Sequence, residues 1–307
     1  MKTDDTLETL TYAVTGRIAR ITLNRPHRGN GITIAMPREL AAMVERANLD
    51  PAVHVIALSG NGKGFCGGYD LVASAQGQGG DQAQDYVQGS PLDPWVMLGN
   101  HDPAQTWDPM VDYAFMSRNV RGFMSLFNSD KPVVCKVQGF CVAGGTDMGL
   151  CSDLMIVEDK AKIGYPPARV WGVPTTALWV QRIGVTRARR LLLTGDCISG
   201  TEAVEWGLAA EAAPREKLDE RFEALLARIA CVPVNQLIMQ KLAINQTLSA
   251  QGLGNAQTLS VILDGIARHT PEGYAFARRA AAAGFKQAVR ERDEPFGDAG
   301  PSTYRGE

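Results

Sequence analysis

Two glycine-rich turns are the parts of this 307-residue sequence whose residue types best suit chemistry. The first covers residues 60–70 (GNGKGFCGGYD), and the second covers residues 139–147 (GFCVAGGTD). Glycine lets a chain turn sharply and bring its backbone amide hydrogens close to a ligand. If each turn directs one amide at the same oxygen, the pair forms an oxyanion hole, which stabilises negative charge during a reaction. The alternative is that each turn is only a tight connection between a strand and a helix. Asp147 follows Gly144 by three residues, near the predicted start of a helix, where the helix dipole favours the ionised carboxylate.

Each glycine-rich turn directly follows a short apolar run that predicts a strand. The runs are VHVIALS at residues 53–59 and PVVCKV at residues 132–137, and both suit buried parallel strands. Further strands are predicted at residues 19–23, where apolar and polar residues alternate, and at residues 154–157 (LMIV). Residues 36–47 carry apolar side chains at helical spacing, which predicts an amphipathic helix. Strands separated by helices indicate an α/β fold with right-handed crossovers.

The chain beyond about residue 175 has a mainly helical pattern. Ser199 and Glu202 form a capping box for a short helix that we expect to end at Gly207. Three apolar stripes follow, and each predicts a helix face that is buried in the core or against another subunit. The stripes cover residues 218–229, 237–248 and 274–289.

Between residues 71 and 131 the pattern is irregular over about sixty residues. Residues 73–90 include a polar stretch of low complexity, and we expect this part to be mobile. The second half contains Trp95 and Trp107. We expect it to form a lid or a pocket wall, since long loops are usually functional, with ordinary packing of the two tryptophans as the alternative.

The composition argues against several classes of protein. The 31 basic and 33 acidic residues nearly balance, which removes the electrostatic basis for a dedicated nucleic-acid binder. No apolar run approaches the ~20 residues of a membrane helix, and the polar start does not resemble a signal peptide, so we expect a cytoplasmic protein with no membrane partner. The six cysteines form no C-x-x-C pair, and the four histidines lack metal-ligand spacing, so we expect reduced thiols and no metal site. Neither glycine-rich turn matches a phosphate-binding loop.

Four segments, taken in order, resemble the enoyl-CoA hydratase/isomerase superfamily, also called the crotonase superfamily. They are ITLNRPHRGNGI (21–32), VHVIALSGNGKGFCGGYDL (53–71), KPVVCKVQGFCVAGGTDMGLCSDLMIVEDKAKIG (131–164) and RARRLLLTGDCISGTEAVEWGL (187–208). The resemblance covers about residues 13–215 and extends more loosely to Phe296. It implies an α/β, crotonase-like (ClpP/crotonase) spiral of ββα units over residues 8–215, with an insertion at about 73–128. It also implies a C-terminal helical segment, residues 216–307, for trimer assembly and the CoA pocket.

The resemblance implies an enzyme that stabilises the enolate of an acyl-CoA thioester. The amides of Tyr69 and Gly144 would hold the thioester oxygen, and Asp147 falls on one of two glutamate positions that hydratases of this family use as acid and base. The residues implied to contact the substrate or its CoA are Arg28, Lys63, Phe65, Gly67, Gly68, Asp70, Trp171, Lys241 and Phe285.

Some of these implied contacts are more specific. Arg28 and Lys63 would approach the CoA phosphates, Lys241 and Phe285 would approach adenine, and Trp171 would shape the acyl pocket together with the Tyr69 phenol. The implied partner is an acyl-CoA thioester, with no cofactor beyond the CoA of the substrate. The implied assembly is a homotrimer or a homohexamer.

The second glutamate position of the family falls on Pro167, which cannot carry a proton. Residues that could supply another acid or base are Asp70, His101, Asp102, Asp108, Asp112 and Tyr165. The first hypothesis is therefore hydration of a 2-enoyl-CoA with Asp147 as the acid or base. An isomerase, a decarboxylase or a C–C hydrolase of the same fold stays open, and so does a non-catalytic acyl-CoA binder.

Overall fold

The computed structural model describes residues 7–70 and 86–297, and in these residues nine strands form two sheets. The strands are β1 (Leu10–Thr15), β2 (Ile18–Leu23), β3 (Val55–Gly60), β4 (Val133–Val137), β5 (Phe140–Val142), β6 (Leu154–Glu158), β7 (Lys162–Gly164), β8 (Cys197–Ile198) and β9 (Glu211–Ala213). The larger sheet has the order β1-β2-β3-β4-β6-β9, and the smaller one has the order β5-β7-β8. The four strands predicted from apolar runs are confirmed as β2, β3, β4 and β6.

Eleven α-helices lie in the described residues. They are α1 (Ala35–Leu49), α2 (Pro94–Asn100), α3 (Pro109–Phe127), α4 (Gly144–Gly149), α5 (Trp179–Thr194), α6 (Gly200–Glu205), α7 (Arg215–Ala230), α8 (Val234–Ala250), α9 (Leu253–Arg268), α10 (Pro271–Ala283) and α11 (Phe285–Asp293). The predicted helix at residues 36–47 is confirmed as α1. The capping box is confirmed too, since Ser199 and Glu202 bond to each other's backbone amides at the start of α6.

Helices cover the larger sheet on both faces, as buried parallel strands require. On one face, Ile56 and Leu58 of β3 belong to a core shared with α1 and α3. On the other face, Val55 and Ala57 pack with α7. The apolar stripe of residues 218–229 therefore serves the core of its own chain, and it is not free to form a subunit contact.

The prediction of an irregular stretch between residues 71 and 131 is wrong for α3. This helix begins with Pro109 after Asp108, whose side chain accepts a hydrogen bond from the Met110 amide at 2.8 Å. It packs against α1 and α9. The prediction that residues 73–90 are mobile falls largely on residues 71–85, which lie outside the described residues.

Helices α8 and α9 present apolar side chains to the surface of the chain. These exposed residues are Met239, Leu242, Ile244, Leu259, Ile262, Leu263 and Ile266. Among the described residues no single helix is long and apolar enough to cross a membrane, and only α7 and α8 taken together, bent by 104°, pass that test of length and composition.

Candidate active site

The two glycine-rich turns lie side by side, because they follow the adjacent parallel strands β3 and β4. The backbone of the first turn also pairs with β5. The Phe65 amide donates to the Phe140 carbonyl at 2.9 Å, and the Val142 amide donates to the Cys66 carbonyl at 3.1 Å. This pairing holds the two turns together just before Tyr69 and Gly144, whose amides are expected to form an oxyanion hole.

Close packing at Gly68 and Gly144 leaves no room for a side chain at either position. Gly68 has a φ of +98°, and a Cβ atom there would lie 2.8 Å from Ala143 Cβ and 3.4 Å from the Gly144 nitrogen. A Cβ atom on Gly144 would lie 2.7 Å from Cε2 of Tyr69. Glycine at both positions therefore lets the amides of Tyr69 and Gly144 approach one small space.

The amides of Tyr69 and Gly144 donate to no other described residue. Gly144 is the first residue of α4, where a helix leaves amides without an internal acceptor. Ala143, directly before it, has a φ of 54°, a strained value for a residue with a side chain. Strain of about 1–3 kcal/mol per residue is typical of functional sites, so the free amides and the strained residue together support an oxyanion hole.

Asp147 is fully buried on α4, close to the two amides. Its Oδ1 accepts hydrogen bonds from the Thr176 amide at 3.2 Å and from the Thr176 hydroxyl at 3.1 Å, whereas its Oδ2 has no hydrogen-bond partner among the described residues. Burial raises the pKa of Asp147 to about 7, the Thr176 hydrogen bonds oppose this rise, and the Asp264 carboxylate adds to it. Asp147 can therefore gain or lose a proton near neutral pH, as an acid–base catalyst must.

Position 167 offers no acid or base. Pro166 and Pro167 begin a short 3-10 turn (Pro166–Arg169). The buried Arg169 guanidinium holds this turn through ion pairs with Asp196 and Asp293, both at 3.1 Å. This fixed turn therefore contributes no proton-carrying group at position 167.

The segment of residues 171–177, in which the sequence singled out only Trp171, lies against Asp147. Both of its ends are strained, with a φ of 80° at Trp171 and 54° at Ala177. Thr175 and Thr176, between them, are fully buried. Sequence reasoning missed both threonines, since threonine has no spacing pattern that marks such a role.

Helix α9 holds this segment in place from the outside. Asp264 accepts a hydrogen bond from the Val173 amide at 3.0 Å, and Gln257 donates to the Thr176 carbonyl at 3.0 Å. Asp264 is itself buried, and Arg268 of the same helix pairs with it at 3.4 Å. Burial raises the pKa of Asp264, and the Arg268 charge opposes that rise. The sequence did not single out Asp264, which lies 91 residues from the amide that it binds.

Two phenols, Tyr69 and Tyr165, share the surroundings of Asp147. The Tyr165 hydroxyl donates to the Val173 carbonyl at 3.0 Å, whereas the buried Tyr69 hydroxyl makes no full hydrogen bond with a described residue. Burial raises the pKa of both phenols well above the usual value, and the carboxylates of Asp147 and Asp264 raise it further. Both phenols are therefore neutral hydrogen-bond donors at neutral pH.

His101 and Asp112, two of the residues considered as a second acid or base, belong to a separate cluster with His269. The atoms through which these three side chains could bind a metal ion all lie within 4.8 Å of one another. Asp112 is already engaged, since Oδ2 lies 3.0 Å from Nε2 of His269 and 2.8 Å from Nε1 of Trp107, and Oδ1 lies 3.1 Å from Arg268. Burial and the Arg268 charge lower the pKa of His101 to about 4. This cluster is a structural network in which Arg268 already supplies the positive charge.

Asp102 and Asp108 serve the backbone rather than the site. Their side chains accept the amides of Ala104 and Met110 at 2.9 Å and 2.8 Å. Tyr165, another of the candidates considered from the sequence, lies near enough to Asp147 for that carboxylate to raise its pKa.

Asp70 is paired with two arginines. Its carboxylate lies 2.8 Å from Arg28 and 2.9 Å from Arg25, and this pairing raises the pKa of Arg28. Arg28 keeps 33% of its side chain exposed, whereas the Asp70 side chain is buried. Asp70 therefore positions Arg28, and Arg28 is the member of the pair that can reach a ligand.

Lys241 and Phe65 do not lie on a binding surface, so these two predictions are wrong. The buried Lys241 ammonium donates to the Leu126 carbonyl at 2.9 Å and the Lys131 carbonyl at 3.1 Å, and it pairs with Asp153 at 2.8 Å. It therefore holds the end of α3 and cannot reach CoA phosphates or adenine. The ring of Phe65 is fully buried in the core beneath the first turn.

The remaining predicted contacts lie at or near the surface. Lys63 and Gly67 are exposed. Trp171 packs against Phe276, with ring centroids 5.4 Å apart, and Phe276 meets the edge of Phe285 at 6.1 Å. This row of three rings connects the segment beside Asp147 with α10 and α11, and binding roles for Trp171 and Phe285 stay predictions.

The family model described as enoyl-CoA hydratase/isomerase matches residues 14–102 and 108–264. The chain belongs to this family. A crystal structure of an enoyl-CoA hydratase from Mycobacterium smegmatis is similar, with a TM-score of 0.92 and 54% identity over 99% of this chain and 100% of that one. A Rhizobium meliloti protein named as a probable enoyl-CoA hydratase is 27% identical over 80% of this chain and 86% of the relative. A trans-2-decenoyl-(acyl-carrier-protein) isomerase from Streptococcus mutans is 25% identical over 73% of this chain and 76% of the relative.

Membership of the enoyl-CoA hydratase/isomerase family confirms the resemblance found in the sequence. The predicted α/β fold of the crotonase type, with a helical C-terminal region, is confirmed as well. The prediction of an acyl-CoA enzyme of this family is also confirmed.

Proposed function

We propose that the protein hydrates a 2-enoyl-CoA, adding water across the double bond next to the thioester. The observation that carries the proposal is a buried Asp147 with a pKa of about 7 beside two unengaged amides, those of Tyr69 and Gly144. Amides aimed at a thioester oxygen stabilise the negative charge that develops there, and losing one such donor lowers kcat by about 10²–10³.

In the proposed reaction Asp147 is the protein group that changes its charge, while the thioester carries negative charge as an enolate and then returns to a carbonyl. The carboxylate takes one proton from water while the water oxygen bonds to the β-carbon, and the electrons of the double bond move onto the thioester as an enolate. The protonated Asp147 then returns the proton to the α-carbon, and the carbonyl re-forms. No cofactor beyond the CoA of the substrate is part of this proposal.

The test is the loss of enoyl absorbance when the protein is mixed with crotonyl-CoA and with longer or branched 2-enoyl-CoA thioesters. Wild type should hydrate at least one of them, and Asp147→Asn should lower kcat by at least about 10², the low end for losing an acid–base group. Asp219→Asn is the matched control, because it removes the same charge from an exposed side chain. If wild type hydrates none, or if Asp147→Asn keeps its rate, the proposal is wrong.

Isomerisation of an enoyl thioester is the second candidate. It is favoured by the single carboxyl group at Asp147, since moving a double bond requires one group that takes and returns a proton. One relative bears the name of an isomerase. Mass analysis of the product separates the two reactions, because hydration adds the mass of water and isomerisation adds nothing.

We also propose that the protein assembles as a trimer or hexamer. The support is the apolar surface of α8 and α9, including Leu242, Ile244 and Leu259, which are more than half exposed in the single chain. Light scattering at micromolar concentration should give three or six times the mass of the chain. A monomeric mass contradicts this proposal.

We also propose that the protein is cytoplasmic. In addition, we propose that CoA is contacted by Arg28, Lys63, Trp171 and Phe285. The location is supported by the cysteines, all six of which are free thiols and five of which are buried. The contacts of Arg28 and Lys63 are supported by the partly exposed Arg28 side chain and by the exposed Lys63 on the first turn. Charge reversal at both positions should raise KM for an acyl-CoA more than for the same acyl group on pantetheine.

A further inference from the structure

Three polar atoms at the site make no full hydrogen bond with a described residue, and all three are buried. They are the Tyr69 hydroxyl, the Thr175 hydroxyl and Oδ2 of Asp147. Leaving a buried polar group unpaired costs about 1–3 kcal/mol, so a group of them calls for a ligand that pairs them.

The residues that carry these atoms are neighbours, because Thr175 directly precedes Thr176, which binds Oδ1 of Asp147, and the Tyr69 ring lies against Gly144 on the helix that carries Asp147. Thr175 lies near enough to lower the pKa of both Asp147 and Tyr69, although its geometry completes no hydrogen bond with either. Asp147 in turn raises the pKa of Tyr69. A water molecule held in a protein needs two to four polar partners, and these three atoms supply that number.

The orientation of Asp147 leaves one oxygen for this purpose. Thr176 occupies Oδ1 through two hydrogen bonds, so the carboxylate cannot turn freely and Oδ2 stays directed away from Thr176. The Tyr69 ring lies next to Gly144, so Tyr69 can offer both its amide and its hydroxyl at the site.

We propose that the Tyr69 hydroxyl, the Thr175 hydroxyl and Oδ2 of Asp147 hold the water that adds to the β-carbon. The inference rests on the proposed hydration. One water hydrogen points to Asp147 and the other to Thr175, while the water oxygen accepts a hydrogen bond from Tyr69 and keeps its second lone pair for the β-carbon. Asp147 receives the proton as described above, and the two hydroxyls stay neutral throughout. The hydroxyls of Tyr69 and Thr175 thus give the water the further hydrogen bonds that Pro167 cannot give.

The first test uses Tyr69→Phe and Thr175→Val, which remove a hydroxyl and keep the ring, the volume and both backbone amides. Each should lower kcat for hydration about 10- to 100-fold, the effect of one hydrogen bond to a charged transition state, and should leave KM within about threefold. The double variant should lose less than the product of the single losses, because both hydroxyls hold one water. Tyr12→Phe is the matched control, a buried tyrosine on β1 away from the site.

The second test is exchange of the α-hydrogens of butyryl-CoA in heavy water, which uses Asp147 and the two amides but adds no water. Tyr69→Phe and Thr175→Val should keep exchange within about threefold of wild type while hydration falls. Equal losses in both reactions, or full hydration activity in both variants, overturn the water site while the proposed function stands. If wild type hydrates no enoyl-CoA, the proposed function is wrong, and the water site is overturned with it.

Discussion

Replacing Asp147 by asparagine should stabilise the fold, and the gain should grow with pH. The folded protein raises the pKa of this carboxyl to about 7, whereas an unfolded chain leaves it at about 3.9. Between these values the folded state keeps a proton that the unfolded state has released, so the free energy of unfolding falls as pH rises. A difference of about three pKa units corresponds to about 4 kcal/mol. Asparagine has no such ionisation and keeps an oxygen for Thr176.

The assay is urea unfolding of wild type and Asp147→Asn at pH 4, 5, 6, 7 and 8, at one protein concentration. The variant should exceed wild type by little at pH 4 and by up to about 4 kcal/mol at pH 8, with the change centred below pH 7. Asp219→Asn, which changes a side chain that is 80% exposed, is the control for removing a carboxylate at the surface. A constant or shrinking gap between Asp147→Asn and wild type would refute the argument that burial holds this carboxyl near neutrality.

Three further predictions concern the surroundings of the site. Gly144→Ala places a Cβ atom 2.7 Å from Cε2 of Tyr69, so the turns must separate and kcat for hydration should fall about 10²-fold; a rate within threefold of wild type contradicts the close approach of the amides. Asp264→Asn removes a charge that raises the pKa of Asp147, so the midpoint of the pH–rate profile should move to lower pH, and a shift to higher pH would be inconsistent with this coupling. Lys241→Met leaves Asp153 without its ammonium partner, so the free energy of unfolding measured in urea should fall by about 3 kcal/mol. A rise in KM for acyl-CoA in the folded variant would instead support a CoA contact for Lys241.

Four of the nine described strands, β2, β3, β4 and β6, and the two turns could be predicted because their signals are local. A run such as PVVCKV is typical of an inner strand that is buried on both faces of a sheet. The glycines after it are typical of a turn whose backbone closely approaches a ligand or another segment. The same local signals exist for α3, where Asp108 and Pro109 form a helix start and Val111, Met116 and Val120 lie on its buried side. Prolines are also frequent in turns and loops, so those around this helix start favoured the opposite prediction.

The rest of the site depends on contacts that no local pattern encodes. Asp264 reaches the Val173 amide across 91 residues, and Thr176 reaches Asp147 across 29. Lysine is usually found at the surface, so the sequence gives no sign that Lys241 is buried. Only the structure shows that its ammonium donates to two carbonyls and to Asp153. Tertiary structure decides in such cases which polar side chains become buried partners.

The pH dependence of crotonyl-CoA hydration tests the central claim most directly, namely that the buried Asp147 carboxylate takes a proton from water beside the two amides. For wild type, kcat/KM should rise about tenfold per pH unit below pH 7 and level off above it, since only the ionised carboxylate acts as a base. Asp147→Asn should be slower by at least about 10² at pH 8 and should lack this inflection. A wild-type profile that is flat from pH 5 to pH 8, or the same inflection in both proteins, would contradict the account.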